Sequence, residues 1–147
     1  MNNIRHVSGD GGIVKRSEAR EKVFKILFQK DFHDDFEQQY EKLAQDESLG
    51  GVQGEYALKT IQGVLDHLDE IDQTIEANLS GWTIPRLPKT VLTILRLGIY
   101  EINYNPDIPQ VSAIDEAVKL AHIYCDEKDS VFINGLLNNV YKKDLVE

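Results

Sequence analysis

Apolar residues recur along this chain at helical spacing. Ala19, Val23, Ile26 and Leu27 stand at i, i+4, i+7 and i+8, one face of a helix. Ser17 reads as its N-cap, with Glu18 and Glu21 in the first turn, where carboxylates favour the exposed N–H groups. Phe36, Tyr40, Leu43 and Ala44 predict a second helix over roughly 34–45, broken by Ser48 to Gly51. Ala57, Ile61, Val64, Leu65 and Leu68 form the next stripe; Ile71, Ile75 and Leu79 form another, ending near Gly81-Trp82. After the break at Pro85 to Pro88, Pro88 suits the first turn of a new helix, where its missing N–H does no harm. From Val91 to Ile102 that helix is apolar nearly all round, which predicts central burial. Asn105 to Pro109 ends it. Ser112 with Asp115 resembles a capping box, followed by Ile114, Ala117, Val118, Ala121 and Tyr124; Ile133, Leu136, Leu137 and Val140 mark the last helix. No useful run alternates with the period of a strand. The expected fold is all-α, with about seven helices in two small bundles. Residues 1–14, with the breaker cluster Gly9-Asp10-Gly11-Gly12, read as a flexible tail. Residues 15–145 read as one domain with halves at about 15–82 and 86–145.

Charge adds an asymmetry. The whole chain carries −9, which argues against generic nucleic-acid binding. Residues 1–30, however, hold seven Lys/Arg against three acids, a net +4, and the remainder carries −13. A basic segment on an acidic body can grip phosphates locally, or it can be an ordinary solvated helix face. One cysteine, Cys125, cannot form an internal disulfide, and no apolar run is long enough to span a membrane. With no apolar leader at the start, these features predict a cytoplasmic protein.

Candidate chemistry is sparse. No glycine-rich phosphate loop is present, and His6, His33, His67 and His122 lack metal-ligand spacing. His33, Asp34 and Asp35 are neighbours, but adjacent helical residues point about 100° apart. Cys125 reads as a packed or end-of-helix residue. The expectation is a binding protein with no enzymatic activity, cofactor or metal. Two features stand out. Relative to Val23, Phe24 and Phe28 lie at about 100° and 140° around the first helix, with Arg20 near 60°. These aromatics are either core residues or an exposed platform for a base or a partner protein. In Phe132-Ile133-Asn134-Gly135, a glycine inside a helix needs compensation, either close helix–helix approach or a surface role in which Phe132 stacks on an unpaired base.

The ordered blocks resemble the NusB family. They are Ser17-Glu18-Ala19-Arg20-Glu21, Asp72 to Trp82 with Arg86-Leu87, Ile94 to Ile102, Ala113 to Ala121, and Phe132 to Leu137. The likeness runs from about residue 16 to 141. It implies two helical bundles and binding to boxA, a short single-stranded element of ribosomal RNA leaders, together with the ribosomal protein NusE. It further implies work with RNA polymerase and other Nus factors in suppressing termination. By position it assigns RNA contacts to Lys15, Arg16, Arg20, Arg96 and Phe132, and a partner surface to Phe28 with neighbouring Phe24. Arg96 has an equally good reading as a structural ion pair. Ser17 and Glu18 interrupt a stretch that is richer in arginine among relatives, and Val131 stands where lysine is common; both departures weaken phosphate contact. Two competing readings remain: a protein-interaction scaffold that self-associates as a homodimer, and the RNA-binding part of a ribosomal RNA-modifying system.

Overall fold

A computed structural model describes residues 15–32, 34–36, 40, 50–81 and 83–146. Among them are six α-helices, two 3-10 turns and no strand. The helices are α1 (Arg16–Phe28), α2 (Gly51–Asp66), α3 (Leu68–Ala77), α4 (Lys89–Tyr104), α5 (Gln110–Tyr124) and α6 (Glu127–Val146), with 3-10 turns at Gln29–Phe32 and Ile84–Arg86. The all-α class is as the periodicity predicts, and the described residues hold six of the roughly seven α-helices expected. The helix expected over 34–45 lies largely outside the described residues. The chain divides into two compact units, with the boundary between Gln62 and Gly63.

Two helix starts differ from the pattern. Lys15, not Ser17, is the N-cap of α1: its backbone N–H donates to Glu18 Oε1 at 2.9 Å. A carboxylate at the third helical position reaches back to the cap, so Glu18 sets the start and Ser17 falls inside the first turn. At α5 the N-cap is Pro109, whose carbonyl accepts from the Ala113 N–H at 3.0 Å. Pro88 does the same for Leu92 at the start of α4. Proline has no N–H to leave unpaired at such a position, so it displaces Ser112 as the start signal.

In the second unit α4 is the central element. Val91, Leu92, Ile94, Leu95, Leu97, Ile99, Tyr100 and Ile102 are all buried, and the helix packs against α3, α5 and α6. Gly98 makes this approach possible: a Cβ there would lie 2.9 Å from Leu137 Cδ1 and 3.6 Å from Ala117 Cβ. Gly63 is cut to the same logic, because a Cβ on it would overlap the Tyr100 ring. His67 then stacks on Tyr104, with ring centroids 4.0 Å apart and planes within 12°. Arg96 ties α4 to α3 through two hydrogen bonds of 2.9 Å to the Asp72 carboxylate.

Candidate nucleic-acid interface

The start of α1 carries Lys15, Arg16 and Arg20. Lys15 is exposed, and Glu18 Oε1 accepts from the Lys15 backbone N–H. Arg16 is half-buried. Its Nε donates to Gln53 Oε1 at 2.8 Å, and its guanidinium lies 4.1 Å from the centroid of the Tyr56 ring. Arg20 has its guanidinium 5.5 Å from the same centroid but is only 4% exposed. Residues 16 and 20 are one helical turn apart, so both arginines meet one ring on α2. The expectation of a direct phosphate contact therefore differs between them. Arg16 keeps a solvent-facing side, whereas burial at the ring leaves Arg20 no such surface.

Down the same helix runs an aromatic series. Phe24 and Phe28 have centroids 6.2 Å apart, and Phe28 and Phe32 are 5.3 Å apart, both pairs tilted. Phe24 is 3% exposed and belongs to the core, so of the two expected partner residues only half-buried Phe28 keeps accessible surface. Phe32, at 59% exposure, extends that surface. It lies off the apolar stripe of Ala19, Val23, Ile26 and Leu27. The signal was the constant spacing of four from Phe24 through Phe28 to Phe32. Tyr56 and Gln53 were missed because a single tyrosine and glutamine carry no pattern until the helices pair.

In the second unit α6 presents Phe132 at 36% exposure, with Val131 at 63% beside it. A Cβ on Gly135 would have nothing within 4 Å, which overturns close helix packing as the reason for this glycine. Asn134 is bonded along the surface instead, accepting from Asn138 Nδ2 at 3.0 Å. Phe132 and Gly135, three apart, therefore leave a ring next to a strip of bare backbone. Arg96 lies elsewhere, committed to Asp72 with little of its side chain exposed. Its planar fork is engaged by a carboxylate, the geometry of the structural ion pair that is the other reading of this residue.

Other titratable groups give no second site. Burial pushes the Cys125 thiol up, and nearby Asp129 and Asp126 add to this against a hydrogen bond from Thr90. Desolvation and the charge of Asp126 raise Asp129 above its ordinary value. Burial raises Tyr100 and Tyr104. Among the described residues no group of three His, Cys, Asp or Glu could hold a metal ion, and no helix is long and apolar enough to cross a membrane.

The family model described as "NusB family" matches residues 17–142. The chain belongs to the NusB family. A NusB relative, the transcription antitermination protein NusB of Listeria welshimeri, is 42% identical over 132 residues, covering 89% of this chain and 99% of its own. Among solved structures, NusB of T. maritima superposes with a TM-score of 0.80 at 36% identity, covering 87% of this chain and 91% of that one. A chain in the crystal structure of the antitermination factors NusB and NusE in complex with dsRNA gives 0.78 at 28% identity, covering 87% and 96%.

Proposed function

We propose that this chain is an RNA-binding transcription antitermination factor. It binds single-stranded boxA RNA of ribosomal RNA leaders together with NusE and, with other Nus factors, helps RNA polymerase read through terminators. The observation that carries the reading is Phe132: a ring left at the surface beside the unfilled backbone of Gly135, on the fold of a protein solved with NusE and RNA. An unpaired base stacks on such a ring whatever its sequence, and cations position the backbone. In this reading Lys15 and Arg16 supply phosphate contacts, Arg20 supports Arg16 from below, and Phe28 with Phe32 forms the surface for NusE. Arg96 holds α3 to α4.

The test is fluorescence anisotropy with a labelled boxA-like RNA and a scrambled control, with and without NusE. Selective binding enhanced by NusE is the expected result. Phe132→Ala should weaken it by about 1–3 kcal/mol while the thermal midpoint stays near that of wild type. A lowered midpoint with intact affinity would return the ring to the core. Binding that is not selective under any condition would favour the protein-interaction scaffold, for which exposed Val131 is the supporting observation.

A further inference from the structure

We infer that Tyr56 and Gln53 are positioning residues that hold the Arg16 guanidinium ready for an RNA phosphate. The inference rests on the proposed RNA-binding reading and adds residues of α2 to that face. The geometry divides the guanidinium into three parts. Its central carbon lies over the Tyr56 ring, 4.1 Å from the centroid. Its Nε edge is taken by Gln53 Oε1 at 2.8 Å. The two Nη groups make no hydrogen bond to any described residue. The ring contact holds the cation on one side, and the hydrogen bond at Nε limits how the guanidinium can turn. What remains is the two-pronged edge that matches a pair of phosphate oxygens.

Tyr56 is itself held. It is buried on α2, and the Arg20 guanidinium lies 5.5 Å from its centroid. Arginine loses much side-chain freedom when it clamps a phosphate. An Arg16 already stacked and bonded has lost most of it before RNA arrives, so less of the contact energy is spent on ordering. This matters more in this chain than in one with many cations at the same place, because Ser17 and Glu18 interrupt the basic stretch. Few phosphate contacts must then each be well aimed.

The experiment compares wild type with Arg16→Ala, Gln53→Ala, Tyr56→Phe and Tyr56→Leu, using the labelled boxA-like RNA with NusE. Two further readings are thermal midpoints and the NMR signal of the Arg16 Nε–H in the free protein. Tyr56→Phe should bind like wild type. Gln53→Ala and Tyr56→Leu should each weaken binding by about two- to tenfold, the factor that ordering one long side chain carries. Neither should weaken it further once Arg16 is alanine. The Nε–H signal should be protected from exchange in wild type and Tyr56→Phe, and lose that protection in the other two. Gln53 is only half-buried, so its alanine variant keeps the test open if Tyr56→Leu unfolds. If Arg16→Ala weakens binding and the Gln53 and Tyr56 variants do not, the positioning role is overturned and the RNA face stands. If Arg16→Ala binds like wild type, the RNA face at α1 falls. An unprotected Nε–H in wild type overturns the positioning role on its own.

Discussion

Gly135 sets two demands against each other at a single position. Inside a helix it costs about 0.5–1 kcal/mol relative to alanine, and no neighbouring side chain needs the space it leaves. Gly135→Ala should therefore stabilise the free protein by up to about 1 kcal/mol, read as a raised midpoint in urea. It should also weaken boxA binding if the RNA backbone lies against α6 there. A more stable variant with unchanged RNA affinity would detach Gly135 from the interface. The chain itself pointed to this residue as needing compensation, but it could not say which kind. Packing partners come from other helices, and only their positions show that the space is empty. Arg96 is the opposite case. Its identity suits both an RNA contact and an ion pair, and the pair with Asp72, twenty-four residues earlier, is visible only once α3 and α4 meet.

At the scale of helices, one helix start and one ion pair between helices carry testable electrostatics. Asp126 accepts the Asp129 backbone N–H at 2.9 Å at the start of α6, and burial followed by the charge of Asp126 raises the proton affinity of Asp129. A carboxyl raised in the fold favours the protonated state, so its contribution to stability is present below the ordinary aspartate value and lost as pH rises through the raised one. Asp129→Asn should raise stability at neutral pH by a few tenths of a kcal/mol, the scale of a like-charge pair one turn apart. The gain over wild type should vanish as pH falls below the ordinary aspartate range; a gain constant with pH would assign it to another cause. Between α3 and α4, Arg96→Ala should cost about 1–3 kcal/mol of stability, less than a fully buried pair, because some Asp72 surface is wet. The salt slope of RNA binding should not move. Periodicity foretold these helices well, α4 above all, because a helix apolar on every side has one place to go. It foretold their starts poorly. A serine is a good cap in isolation, yet a glutamate three residues past the true cap and a proline before α5 decided the matter.

For the molecule as a whole, the division of charge bears on selectivity. A net +4 in the first thirty residues is set against −13 in the rest. An acidic body repels RNA that does not engage the binding face, so scrambled RNA should bind weakly even at low ionic strength. With Lys15 and Arg16 as the phosphate contacts, affinity for boxA-like RNA should fall with a log–log slope of about −1.4, two contacts on a single strand. A salt titration by anisotropy checks this, and a much steeper slope would mean that cations outside α1 share the load.

The fit of Gly63 against Tyr100 has a consequence for how this sequence can change. Because any side chain at 63 collides with the ring at 100, the two positions cannot drift independently. A smaller residue at 100 leaves a cavity that alanine or serine at 63 can fill, whereas the reverse order passes through a steric clash with the ring. The history of this pair in descendants of the chain should therefore run in one direction, with the ring lost first and the glycine afterwards.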